Sequence, residues 1–235
     1  MSIRKRIKES LVQALGGIFD ELFLFESENI FRWRQNRALE QTGLFIEEHL
    51  PFVHSFETRY ALFDYILKAY SINEKDGLVC EFGVATGKSL NFLARKLKNK
   101  TLFGFDSFKG LPEDWRGNYP KGTFKTALPP VRDNAILIPG LFDETFGPFL
   151  QEHKEKALLL HVDCDLYSST KTVFEFSKAS IVPGTILIFD EFFNYPGWQE
   201  GESKAFFEFT DNSKLHFEYI AYNCLGTQLA VQITE

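Results

Sequence analysis

Four carboxylates in two short segments, His161-Val-Asp163-Cys-Asp165-Leu-Tyr167 and Asp190-Glu191, are the residues whose types and spacing point most directly to chemistry. Each segment closes an apolar, β-rich run, ALLLHVD (157–163) and TILIFD (185–190). The acids therefore fall at the carboxyl ends of neighbouring strands, which lie roughly 4.8 Å apart in a sheet. Acids so close repel one another unless positive charge sits between them. A hard divalent ion such as Mg²⁺ is the natural partner, because carboxylate oxygens suit it and no Cys/His set with zinc spacing is present. Asp163, Asp190 and Glu191 could fill one side of an octahedron and leave positions for substrate oxygens. Asp165 shares a strand side with Asp163 and could take the proton of a hydroxyl made more acidic by the ion. Singly, each acid could cap a loop or a helix. Four converging where open α/β sheets place their ligands favour a functional reading. His161, with apolar neighbours, reads as a packed, hydrogen-bonded core histidine.

A second constellation precedes this one. Glu81-Phe-Gly83-Val-Ala-Thr-Gly87-Lys-Ser89 ends one strand-like run and opens a helix. Glycines there let the chain turn tightly and bring its backbone against a ligand, and the N–H groups of the helix start favour a carboxylate. The spacing is not the G-x-G-x-x-G of a dinucleotide site. The next run ends in Asp106, where an acid can accept hydrogen bonds from both hydroxyls of a ribose, with Ser107 and Phe108 placed to lie along an adenine.

The elements that must position these residues alternate short apolar runs with helical stretches from Leu78 onward, the pattern of a parallel sheet covered by helices. The runs are 78–83, 101–106, 135–140, 157–163 and 185–190, and their near-continuous hydrophobicity suits strands buried on both faces. Helices are expected over 58–70, 88–97, 169–179 and 202–209, and four prolines make the stretch after Asp106 an extended loop. HFEYIAYN and GTQLAVQI are joined too tightly for a parallel crossover and read as an antiparallel hairpin at the sheet edge. The expectation is an α/β, Rossmann-like fold of the class I methyltransferase kind: a mostly parallel seven-stranded sheet with an antiparallel C-terminal hairpin and helices on both faces. Residues 192–209, with Trp198, Glu200, Glu202 and Lys204, are candidates for the wall of an acceptor pocket.

The chain has 235 residues, 44% of them hydrophobic, which suits one ordered domain with an appended arm: residues 1–57 as a helical arm or lid and 58–235 as the main domain. A net charge of -6 without an extended basic surface argues against nucleic acid as a partner. Ile3, Ile7, Leu11, Leu15, Ile18 and Leu22 recur at helical spacing, so the amino terminus reads as an amphipathic helix, suited to a lid or a homodimer contact, rather than a signal peptide. No stretch is apolar enough for a membrane span. Cys80, Cys164 and Cys224 read as buried, reduced thiols, and a cytoplasmic location is expected.

EFGVATGKS, GFDSFKGLPEDW, HVDCDLYSSTK and VPGTILIFDEFFNYPGW, in that order, resemble the metal-dependent O-methyltransferases similar to macrocin O-methyltransferase. The resemblance implies transfer of a methyl group from S-adenosylmethionine (SAM) to a hydroxyl of a small-molecule acceptor, such as a sugar attached to a natural product. It implies that Glu81, Gly83, Val84, Gly87, Ser89, Asp106 and Ser107 line SAM. It further implies that Asp163, Asp190 and Glu191 hold Mg²⁺ and that Asp165 is the general base. Glu191 departs from the pattern, since the family often has a second aspartate there. A catechol could present two vicinal hydroxyls as well as a sugar can, so a phenolic O-methyltransferase is an alternative. A nicotinamide-dependent oxidoreductase is disfavoured by the glycine spacing.

Overall fold

The computed structural model describes residues 15–16 and 29–234. Apart from Leu15 and Gly16, the expected amino-terminal amphipathic helix lies outside them. The elements run α1 (Ile30–His49), β1 (His54–Phe56), α2 (Arg59–Ala69), β2 (Leu78–Phe82), α3 (Lys88–Lys96), β3 (Leu102–Asp106), β4 (Ala135–Pro139) and α4 (Phe142–Glu152). They continue with β5 (Ala157–Val162), α5 (Tyr167–Ser177), β6 (Ile186–Phe189), α6 (Glu202–Ser213), β7 (Phe217–Asn223) and β8 (Leu229–Ile233).

One sheet contains all eight strands in the order β1-β7-β8-β6-β5-β2-β3-β4. Only β8 runs against its neighbours, pairing antiparallel with both β6 and β7. The strand count corrects the expected seven. The additional strand is His54–Phe56, which pairs parallel with β7 through His54 and Ala221. Three residues at a sheet edge carry too little alternation to be read as a strand. It falls within the segment expected to be a separate arm.

Alternation along the strands divides the core between two faces. Val79, Leu159, Ile186 and Ile188 pack with Leu62, Phe63 and Ile66 of α2 and with Leu90 and Leu93 of α3. Cys80, Leu160, Leu187 and Phe189 pack on the opposite face with Phe146 of α4, Phe174 of α5 and Phe206 of α6. With both faces covered, the carboxyl ends of the strands are what remains open for a ligand. Thr58 caps α2 by accepting from Ala61 N at 3.2 Å, which fixes where that helix starts and where Arg59 projects.

One further expectation changes. Cys224 is exposed in the β7–β8 turn, whereas Cys80 and Cys164 are buried. No described helix is long and apolar enough to cross a membrane.

Candidate active site

Backbone hydrogen bonds continue past the strand ends and hold the first residue of each loop in step with its neighbour. Gly83 N donates to Phe105 O, Asp163 N to Phe82 O and Asp190 N to Val162 O, at 2.9, 2.8 and 2.9 Å. Residue 83 must be glycine: its φ is +94°, and a Cβ there would lie 1.7 Å from the Asp163 carbonyl oxygen. The two signature segments read from the sequence therefore touch at this point.

A cleft of about 420 Å³ opens above these ends. Asp106, Asp143, Asp163, Asp165, Asp190 and Glu191 line it, and Arg59 is the one base among the described residues that does. Such a lining favours cationic ligands.

At one end Gly83, Asp106, Ser107, Gly140, Leu141 and Phe142 form the wall. Asp106 Oδ2 accepts from Val84 N and Ala85 N at 2.9 and 2.7 Å, and Oδ1 accepts from Phe108 N at 2.6 Å. Val84 and Ala85 belong to the turn before α3, not to the helix start at Lys88 whose amides were expected to favour a ligand's carboxylate. A carboxylate has about four acceptor positions, so Asp106 keeps roughly one for a ligand hydroxyl. Ser107 lines the cleft, but Phe108 is buried in the core on the α2 side. Of the other residues assigned to the cofactor, Val84 contributes its backbone amide to Asp106, while Gly87 lies at the α3 start in the left-handed conformation, φ 73°. Glu81 and Ser89 are buried beneath the cleft and bond to each other, Ser89 Oγ donating to Glu81 Oε1 at 3.0 Å.

From Glu81 a buried polar chain crosses the sheet. His161 Nδ1 lies 3.0 Å from Glu81 Oε2, and His161 Nε2 lies 3.9 Å from Asp190 Oδ1. His161 is fully buried, as expected of a core histidine. Burial alone disfavours its charge, but the flanking acids Asp190 and Glu81 outweigh that and push its pKa up to about 10. Asp190 also accepts from Gln228 Nε2 at 3.1 Å and pairs with Arg59 at 2.9 Å. Burial would raise its pKa, yet the neighbouring His161 ring, with Arg59 and Gln228, brings it below the usual carboxylate value.

The neighbouring acids have the opposite balance. Asp163, Asp165 and Glu191 offer oxygens within 4.8 Å of one another, and a ring nitrogen of His161 lies equally close to oxygens of Asp163 and Asp190. Burial and then the charge of Asp190 raise the pKa values of Asp163 and Glu191, and the same causes push Asp165 up to about 7. Glu191 Oε2 is buried without a hydrogen-bond partner. An orphaned carboxyl oxygen beside two further acids is what a hard cation would satisfy, so the donor set fits a divalent ion. Arg59 Nη1 approaches the same group, 4.0 Å from Asp163.

The structure thus brings Gly83, Asp106, Ser107, Asp163, Asp165, Asp190 and Glu191 to one cleft. None of residues 192–209 lines it, which corrects the expected acceptor wall. Glu200 and Lys204 pair with each other at the surface at 2.6 Å, and Trp198 and Glu202 are buried. Sequence reasoning missed Arg59, Leu141, Phe142 and Asp143 as lining residues.

Residues 80–192 match the family described as a methyltransferase domain. The match takes in just under half of the chain. Solved structures share the fold: the calicheamicin methyltransferase CalS11 superposes with a TM-score of 0.59 at 21% identity, covering 88% of this chain and 92% of its own. The O-methyltransferase NovP gives 0.57 at 19% identity over 75% and 80% of the two chains. An O-methyltransferase from Bacillus cereus in complex with SAH gives 0.51 at 13% identity over 91% and 96%. No curated protein matches the chain significantly. The segment that matches the family runs from β2 to just beyond β6, so it includes both Asp106 and the carboxylate group.

Proposed function

We propose that the chain is a SAM-dependent O-methyltransferase that methylates a hydroxyl of a small molecule, such as a sugar moiety of a natural product, with the aid of Mg²⁺. The observation that carries this reading is a single acidic cleft joining Asp106 at one end to the carboxylate group at the other. The structural neighbours support it: CalS11 is a TDP-rhamnose 3'-O-methyltransferase of calicheamicin biosynthesis.

When bound, SAM supplies an activated methyl group and Mg²⁺ supplies positive charge beside the acceptor hydroxyl. Asp163, Asp190 and Glu191 would hold the cation, and Asp106 would accept from a ribose hydroxyl. Gly83 lets the backbone approach the cofactor where a Cβ would collide with Asp163. Glu81 and Ser89 act beneath, fixing the turn rather than touching the ligand. Asp165 accepts the acceptor's proton as its oxygen is alkylated, and S-adenosylhomocysteine (SAH) is released. Within residues 1–57, those ahead of β1 are proposed to contribute a lid or a homodimer contact.

Calorimetric titration with SAH, in Mg²⁺ and in EDTA, tests the cofactor half. Transfer of labelled methyl groups to nucleotide sugars, glycosides and catechols tests the acceptor half. One SAH bound per chain and Mg²⁺-dependent transfer to a sugar hydroxyl are expected. Absence of SAH binding to folded, ligand-free protein would refute the reading, and transfer confined to catechols would replace the sugar with a phenol.

A further inference from the structure

Glu202 is the first residue of α6 and is fully buried, yet it lies outside the cleft and outside both signature segments. Its Oε1 accepts from Cys164 N at 3.0 Å and from Asp165 N at 3.2 Å. Its Oε2 accepts from Glu191 N at 3.1 Å. One side chain therefore ties together the two turns that carry the cleft's acids, although they leave different strands, β5 and β6.

The tie falls where the backbone most needs it. Asp165 has a φ of 61°, a left-handed conformation that a residue with a Cβ keeps only when its surroundings enforce it. Glu202 is suited to the task because acidic groups are favoured at a helix start, where the backbone N–H groups are unpaired. Neither Glu202 oxygen is offered to the cleft.

We propose that Glu202 is a positioning residue that sets the spacing between the Asp163–Asp165 turn and the Asp190–Glu191 turn, and through it the affinity for a divalent cation. The inference rests on the reading of those turns as the cation site. Substitution by glutamine distinguishes this role from simple filling of space. Glutamine has the same size, and its oxygen can still serve Cys164 and Asp165. Its NH₂ group then faces the Glu191 N–H, donor against donor, and that turn is released.

The test uses the full chain and Mn²⁺ as the probe, titrated calorimetrically in the presence of SAH, for the wild type and Glu202→Gln. Mn²⁺ affinity is expected to fall by about 10-fold or more, the usual cost of losing a partner behind a metal ligand, while SAH affinity in EDTA stays within about two-fold. Unchanged Mn²⁺ affinity in a folded variant would overturn the proposal. Amide hydrogen exchange on the wild type in EDTA keeps the test independent of the variant's folding. Slow exchange at Cys164, Asp165 and Glu191 supports the clamp, and fast exchange at all three overturns it. If the wild type binds no Mn²⁺, the cation reading itself fails, and the exchange rates then decide the clamp alone.

Discussion

Asp165 combines two features that make it the most informative single residue: a left-handed backbone and a pKa raised to about 7 by burial and by Asp190. Asparagine tolerates that backbone as well as aspartate does, so Asp165→Asn removes charge and proton affinity without altering the turn. Turnover is expected to fall by about 10²-fold or more, the usual contribution of a general base, with SAH affinity and thermal stability nearly unchanged. Turnover at the wild-type rate would assign the proton to another group. The acids and Gly83 were legible in the sequence because their chemistry shows in residue type and in position at the end of an apolar run. Arg59 and Glu202 were not. Arg59 reaches the site from the start of α2, far away in sequence, and a glutamate at a helix start usually faces water, so nothing local announces that Glu202 is fully buried.

Among the elements, the parallel strands were legible because burial on both faces leaves continuous apolar runs. Helix α1 lacks such a signal: across its twenty residues only Ala38 and Thr42 are fully buried, so no apolar stripe marks it. Helix α4 did carry one, Phe142, Phe146 and Phe149, but Pro148 within it reads as a break. The loop before β4 has an anchor that also went unnoticed. Asn134 Nδ2 lies 3.0, 3.0 and 3.1 Å from the carbonyl oxygens of Ala94, Leu97 and Lys100, closing the carboxyl end of α3. Its removal strips donors from helix-end carbonyls that have no partner within the helix. Asn134→Ala is expected to cost about 1–2 kcal/mol, read by urea denaturation, with SAH affinity unchanged. A loss below about 0.3 kcal/mol would mean that water replaces the amide, since surface changes away from such features stay within about 0.5 kcal/mol.

For the whole molecule, the buried acids give stability a predictable dependence on pH. Burial, with the charge of Asp165, pushes Glu202 up to about 8, and Asp165 itself is at about 7. A carboxyl whose pKa is higher in the folded state contributes stability at low pH and loses it as pH rises through the folded value. His161, raised to about 10, contributes below its ordinary 6.5 and loses that contribution as pH rises toward 10. Asp190 is lowered from 3.8, so its contribution is already complete above that value and does not change in this window. The signs agree: in EDTA the melting temperature should be higher at pH 6 than at pH 9, by at least about 3 °C for a chain of this size. Mg²⁺ should narrow the gap, because it binds deprotonated carboxylates. Equal melting temperatures with and without Mg²⁺ at pH 9 would show that the acids hold no cation. One further consequence follows from β8, which lies late in the chain yet between β6 and β7. The turn before it supplies Thr227 Oγ1 and Gln228 Nε2, which donate to the Asp190 carbonyl and carboxylate at 2.5 and 3.1 Å. During vectorial synthesis a ribosome releases β2 to β6 first, and domains generally fold from the amino-terminal end. Five of the eight strands can therefore pair early, but the acid nearest Arg59 is not fixed until the final hairpin emerges and inserts. The nascent chain can collapse long before it can work.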